Sequence, residues 1–487
     1  MRQSKSINLS KLIKTMTMTM KQQAIALCAL MLFSANTQAQ EKDGGITAVM
    51  MKQMRESYKP CGGQRALFNA LAANNIDALA RNHTNTGELD THFSIETSSQ
   101  SITDQKSSGR CWMFSGFNVL RANFAKNDKQ KRVVEFSHDY LFFYDQLEKA
   151  NLMLQGVIDC ADKPMDDVRV QFFFKNPLSD GGTFCGVADL APKYGLVPKS
   201  VMPETYSSDN TSKMASLVSS KLREFGLKLR AMKQGGKSEK DINKSKTEML
   251  STIYRMLCLT LGEPVKEFTY QFKDKNGNAV GEPRKYTPLE FYKETVGNDL
   301  RGSFIMVMND PRREYHKTYE VEYDRHAYDG SNWKYLNLPM EEIAQLAITS
   351  LKDGTKMYSS YDVGKQLDRS RGYLDVNNYD YGTLFGTDFP MNKAERISTY
   401  DSGSTHAMTL TAVDLDAKGN PVKWKVENSW GADYGQQGCL IMTDEWFREY
   451  MFRLVVDKKY VPAKLLEEFE QEPVMVMPED PLFALDD

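Results

Sequence analysis

The sequence predicts an α+β protein, a mostly helical first half followed by a strand-rich second half. Three observations carry that expectation. Apolar residues recur at helical spacing in ALFNALAANNIDALA (66–80) and again through 213–262. A polar, Gly-containing loop, ITDQKSSGR, gives way at Cys111 to a long apolar stretch without turn residues. Past Thr405, apolar and polar residues alternate on both sides of a turn at Lys418-Gly419-Asn420. At 487 residues the chain exceeds the usual size of a single hydrophobic core, so more than one substructure is expected.

The elements follow in order. Gly44 to about Asn82 is helical in pattern. Cys111–Lys126 reads as a buried helix, and Ser137–Ala150 as a second one with Ser137 as its N-cap. Ser179–Tyr206 opens on the double glycine Gly181-Gly182, passes through a short helix and ends in a Pro-punctuated loop. Residues 213–262 are helical, and the nine basic and three acidic residues within Lys221–Lys246 read as solvated helix faces around a GGKSEK loop. Residues 263–340 carry strand and turn signals, including the hairpin YQFKDKNGNAVGEPRKY with a tight turn at Asn276-Gly277.

The N-terminus reads as a secretory leader. Five basic residues and no acid fall within residues 1–39, the apolar run AIALCALMLFSA (24–35) follows, and Thr37-Gln38-Ala39 offers small residues for cleavage after Ala39. The apolar run is too short to span a membrane. Met20 is an alternative start, and Leu27 before Cys28 argues against a lipoprotein site. Export to the periplasm or medium is therefore expected. Removing five positive charges from a formal −2 leaves a body at −7, which argues against generic nucleic-acid affinity. Seven scattered cysteines, with no CxxC pair and no close histidine, give neither a zinc site nor a disulfide scaffold; no cofactor is expected.

A cysteine where a loop becomes a helix is either a small core hydrophobe or a nucleophile. Unpaired N–H groups and the macrodipole at a helix N-terminus favour the thiolate. A thiolate needs a base, and His406 is the histidine in the right context, opening a strand after the Gly/Ser-rich DSGST. The other five histidines (83, 92, 138, 316, 326) read as surface or structural residues. Asn428 ends the partner strand at about the same distance from the turn, where its amide can fix the imidazole tautomer; Trp430 can shield that bond from water. Gln105, six residues before Cys111, can join the Cys111 backbone N–H in holding an oxyanion.

The stretches QKSSGRCW, THAMT and KWKVENSWG resemble the papain-like cysteine peptidases, specifically the bleomycin hydrolase / aminopeptidase C branch. Further matches run through DGG (180–182), KYGLVPKSVMPETY, DVGK, MNKAER, MTDEWF and EQEPVMVMPEDPLFAL. His406 stands 295 residues after Cys111, far beyond the roughly 130–150 of ordinary papains. A large helical insertion accounts for the excess. The resemblance implies a papain-like fold, a helical domain plus a β-barrel-like domain, within residues 40–487. It places the catalytic helix at 111–126, an insertion at about 207–262, the His/Asn β region at about 400–460 and a tail at 461–487 that lies in the cleft. It also implies Cys111 as nucleophile, His406 as acid/base, Asn428 as orienter, Gln105 as oxyanion donor, and Asp487 meeting the α-ammonium of a peptide substrate. Relatives look like homohexamers. Two added carboxylates, Asp486 and Asp487, depart from the apolar end of many relatives. The expected function is thus an exported thiol aminopeptidase without cofactor. The alternatives are a papain-like endopeptidase and a non-enzymatic oligomer that binds nucleic acid; a transglutaminase-like acyltransferase would carry Asp in place of Asn428.

Overall fold

The computed structural model of the chain describes residues 44–58, 62–297 and 300–483. The expected leader, Cys28, Cys61 and the terminal Ala484–Asp487, including Asp487 itself, lie outside the described residues. The chain divides into two compact units, one ending at Leu79 and the other running from Ala80. The first holds the helices Ala48–Ser57, capped by the Thr47 side chain, and Gly62–Ala73.

The second unit holds six longer helices: α1 (Cys111–Asn127), α2 (His138–Asp159), α3 (Phe184–Tyr194), α4 (Ser212–Gln234), α5 (Glu239–Leu261) and α6 (Met340–Lys352). Helix α1 is apolar all round, and a helix of that kind belongs inside. Trp112, Met113, Phe117, Val119, Leu120 and Phe124 are all buried in one cluster with residues of α2 and α3. Gly116 lets α3 approach closely, since a Cβ there would sit 2.7 Å from Val187 Cγ2. Helix α2 has the expected cap, the Tyr140 N–H donating to Ser137 Oγ at 3.0 Å. It runs nine residues past the expected end at Ala150, because Leu152, Met153, Leu154 and Val157 continue the buried face. In α4 the basic run is only partly solvated. Glu224 bridges Lys221 and Lys228 at the surface, whereas Arg230 is buried and donates to the carbonyls of Cys160 and Lys163.

Nine strands form most of a twelve-stranded sheet: β1 (Phe304–Met308), β2 (Lys317–Val321), β3 (Lys334–Asn337), β4 (Met357–Tyr361), β5 (His406–Leu415), β6 (Pro421–Glu427), β7 (Cys439–Thr443), β8 (Met451–Asp457) and β9 (Val474–Val476). Their order is β9-β2-β3-β1-β8-β4-β5-β6-β7, with two-residue strands completing the sheet. Phe268–Asp274 and Ala279–Tyr286 form the expected hairpin, with Gly277 at φ +84° in its turn.

Strand β5 joins two cores. Thr409 Oγ1 donates to the Ser115 carbonyl of α1 at 3.4 Å on one face, while Met408, Leu410 and Val413 pack in a second cluster with α6. Helices on one side of the cleft and sheet on the other give the α+β papain-like arrangement. Among the described residues, no cysteine is joined in a disulfide, no three His, Cys, Asp or Glu side chains converge as a metal site, and no helix is long and apolar enough to cross a membrane.

Candidate active site

Cys111 is the first residue of α1, partly buried. The turn before it is held from beneath by Arg110, fully buried, which donates to Glu204 at 2.8 Å and stacks over Phe114 and Phe142. Asp180 adds a second hold, accepting from the Gly109 N–H at 2.6 Å. The start of the nucleophile helix is therefore fixed by groups that cannot leave without exposing a buried charge.

His406 opens β5, as the alternation predicts, and the Ala407 N–H reaches Cys111 Sγ at 3.5 Å. The thiol and the histidine thus meet where α1 abuts the first turn of the strand. His406 Nε2 lies 2.8 Å from Asn428 Oδ1, so Nε2 carries the proton and Nδ1 is the nitrogen left to act as base. The hairpin register differs from the simple expectation. Glu427 pairs with Thr409, which puts Asn428 two positions out of line with His406; the bulges between Leu410 and Ala412 and between Asp414 and Leu415 cancel each other, so the offset is set already at the turn, where Leu415 faces Pro421. The Asn428 side chain spans that offset. Trp430 stacks on the imidazole at 4.8 Å between ring centroids and covers the His406–Asn428 bond.

Burial pushes the His406 imidazole down to about 4 from its ordinary 6.5, and the hydrogen bond it donates to Asn428 Oδ1 opposes that shift. A neutral imidazole is what accepts a thiol proton. The acid limb of kcat/KM is therefore expected near pH 4, where the thiol–imidazole pair takes up a further proton. A limb at 6.5, read from a pH–rate profile, would mean that burial does not lower the His406 imidazole.

Gln105 is buried and its position is set on both sides. Its Oε1 accepts from Ser429 Oγ and its Nε2 donates to the Ser108 carbonyl, both at 2.6 Å. One N–H of the amide remains for the cleft, which Gln105 lines together with Cys111, Gly181, Gly182, Tyr358, His406 and Arg453 in a cavity of about 200 Å³. All four residues of the expected constellation, and Trp430, are thus brought together. Around a carbonyl carbon placed beside Sγ, the arrangement supplies a nucleophile, a proton acceptor, its orienter and a hydrogen-bond donor for developing negative charge.

A model of the Peptidase C1-like family matches residues 45–483. The chain belongs to that family. As a Peptidase C1-like protein it is a cysteine-type peptidase, and its relatives place it in the bleomycin hydrolase / aminopeptidase C branch. It is 40% identical to Aminopeptidase C of Lactobacillus delbrueckii subsp. lactis, over 86% of this chain and 93% of that one. It is 41% identical to human Bleomycin hydrolase, over 79% of this chain and 86% of that one. The crystal structure of PepW from Lactobacillus rhamnosis HN001 superposes with a TM-score of 0.85 at 37% identity, covering 91% of this chain and 99% of that one.

Several residues of this family member's cleft carried no signal that reasoning from local pattern uses. Ser429 anchors Gln105, and Arg453, fully buried from the middle of β8, lines the cleft. The DGG segment stood out in the sequence, but nothing there revealed that Gly181 and Gly182 form a cleft wall. Of the histidines read as surface or structural, His138 and His326 are buried, at 4% and 2% exposure. The rings that cover them, Phe114 and Phe117 against His138 and Trp112 against His326, come from α1.

Proposed function

We propose that the chain is a thiol aminopeptidase that removes N-terminal residues from peptides through an acyl-enzyme intermediate. One arrangement carries this reading: Cys111 at the head of a buried helix, within reach of His406, whose far nitrogen is held by Asn428 at 2.8 Å. Cys111 Sγ attacks the scissile carbonyl carbon, and its proton goes to His406 Nδ1. Gln105 Nε2 and the Cys111 N–H stabilise the oxyanion, and His406 returns the proton to the leaving amine. Water deprotonated by His406 then releases the acyl group and regenerates the thiol. Gln105→Ala is expected to lower kcat by roughly 10²–10³, as removal of one oxyanion donor does elsewhere; steady-state rates check it, and an unchanged kcat would remove Gln105 from the machinery.

The restriction to free N-termini is supported by the course of the tail. Phe483, the last described residue, is buried with its ring 5.3 Å from the guanidinium of Arg453, a residue that lines the cleft. Four further residues span at most about 14 Å when extended, and we propose that a carboxylate among them, that of Asp487, meets the substrate ammonium. We extend the proposal to export, on the basic and apolar leader, and to a homohexamer, to whose contacts the exposed Tyr206, Leu217, Leu227 and Leu259 of the helical insertion can contribute.

The test is turnover of one peptide series with free and with acetylated N-termini. Free-amine peptides are expected to lose single residues, and acetylated ones to resist. Deleting Ala484–Asp487 is expected to weaken the first reaction and admit the second. Equal cleavage of both series by the intact chain would favour the endopeptidase reading instead.

A further inference from the structure

Behind the turn that carries Cys111 lies a carboxylic acid that the catalytic steps do not use. Asp139 stands in the first turn of α2, fully buried, and neither of its carboxyl oxygens has a hydrogen-bond partner among the described residues. The groups facing it come from the elements packed around it. Arg110 comes from the turn before α1, and Glu204 and Asp209, with the nearby Ser208 hydroxyl, come from the segment leading into α4. On α2 itself the neighbour is His138, which is neutral, since burial holds its imidazole well below the ordinary range; its ring lies flat on Phe114 at 3.6 Å between centroids. That leaves Arg110 as the one cation of the set. It donates to Glu204 Oε2 at 2.8 Å, while its Nη2 and Glu204 Oε1 are buried without hydrogen-bond partners among the described residues.

One guanidinium balances one carboxylate. Glu204 holds that place, so an ionised Asp139 would be a buried charge without a partner, and a group so placed takes up a proton instead. The first turn of α2 favours an anion, but burial outweighs it. Burial, reinforced by the Glu204 carboxylate, pushes Asp139 up to about 8 against the opposing pull of Ser208 and Arg110. Arg110 is what makes that proton matter to catalysis. Its carbonyl accepts from the Met113 and Phe114 N–H groups at 2.9 and 3.1 Å and so opens the helix of the nucleophile. Its Nε donates to Ser108 Oγ at 3.0 Å, and that hydroxyl donates to the Gln105 carbonyl at 2.6 Å. Gln105 Nε2 returns to the Ser108 carbonyl. One side chain therefore sets both Cys111 and Gln105. A negative Asp139 would offer Arg110 Nη2 a second carboxylate and draw the guanidinium off Glu204.

We propose that Asp139 is a proton-controlled positioning residue: it stays a neutral acid while the enzyme works, and losing its proton turns Arg110 away from Glu204, displacing the turn that sets Cys111 and Gln105 and so closing catalysis on the alkaline side. The role deepens the peptidase reading and rests on it for the reaction whose rate is read. The test compares the parent with Asp139→Asn, which keeps the shape of the neutral acid and cannot ionise. The rate read is kcat for alanyl-7-amido-4-methylcoumarin, because kcat reports the bound complex and leaves out the titration of the free substrate ammonium. Between about pH 6.5 and 9 the parent is expected to lose about tenfold in kcat through a limb near 8, and the Asn variant less than about twofold. The infrared carbonyl band of a protonated carboxylic acid should be present in the parent at neutral pH, fade with the same midpoint, and lack that component in the variant. Should the variant fail to fold, the midpoint of this band in the parent, set against its own kcat limb, still decides. A limb unmoved in the Asn variant would overturn the proposal, as would a parent without a protonated acid at neutral pH. A variant slower at every pH with the limb in place, the mark of a merely structural role, would overturn it too. One readout needs no turnover: the rate of Cys111 alkylation by iodoacetamide, parent over variant, should be steady below the midpoint and shift above it. A parent that hydrolyses no peptide would overturn the function, with that ratio still deciding this inference.

Discussion

Cys111→Ser is expected to bring peptide turnover to background while leaving the thermal unfolding curve in place. The side chain is the first of a helix whose other contacts are unaffected, so exchanging sulfur for oxygen removes little packing. The chemistry changes far more. An imidazole held at about 4 is too weak a base to take a hydroxyl proton, whereas a thiol at a helix N-terminus parts with its own readily. None of the other described thiols can stand in. Burial pushes Cys439 up to about 11 and Cys185 well above its ordinary value, and raises Cys160 and Cys258 as well. Alanine at each of these four positions should therefore leave activity largely intact. A Cys111→Ser protein retaining most of its rate, or a folded Cys185→Ala protein without any, would show that the wrong sulfur has been assigned.

The largest expected effect on stability lies one residue before Asn428. Glu427 is buried at 3% exposure and bonded on one side to Arg121 of α1, at 3.0 Å, and on the other to Lys356 beside β4, at 2.7 Å. Both partners are buried to the same degree. Glu427→Ala takes the carboxylate from Lys356 and leaves Arg121 only the more distant Glu135, at 3.8 Å, and removal of one partner from a buried ionic group costs about 3–5 kcal/mol. The denaturation midpoint should fall accordingly. Turnover of the remaining folded fraction should drop too, because Glu427 ties the helix that begins at Cys111 to the strand that leads into Asn428. The triple change Glu427→Leu, Arg121→Met and Lys356→Met should recover much of the stability, since an apolar replacement of a buried ionic group is often neutral or better. A midpoint unmoved by Glu427→Ala would mean that water reaches the site and solvates the cations.

What was legible in the sequence was local. The helix at Cys111, the Ser137 cap, the hairpin turns and the strand opening at His406 each follow from periodicity or turn chemistry within a dozen residues. The expected quartet rested on such local contexts, and the geometry unites it. What was not legible depends on elements far apart in the chain. Nothing around Glu427 announces that Arg121 and Lys356 will surround it, and charged residues read by composition belong at the surface. His326 sits in the polar run YDRHAYDG, and its burial comes from Trp112, Asp145 and the Gly182 backbone, 144 to 214 residues away. The two bulges in the β5–β6 hairpin likewise answer to packing on both faces of β5, and no turn signal encodes them.

The placement of His406 and Asn428 on one hairpin has a consequence for biosynthesis. Their pairing needs only a short contiguous segment, and hairpins of that kind close within microseconds once both arms are available. Cys111 leaves the ribosome nearly three hundred residues earlier, and at about 5–20 residues per second that interval lasts some 15 to 60 seconds. Throughout it the thiol lacks the base proposed for it, and β5, against which α1 packs, does not yet exist. A chain caught midway through synthesis is thus chemically silent toward its neighbours on the same message. Proteolytic competence arrives only when the last third of the polypeptide folds onto the first, so the timing of activation is written into the order in which the parts are made.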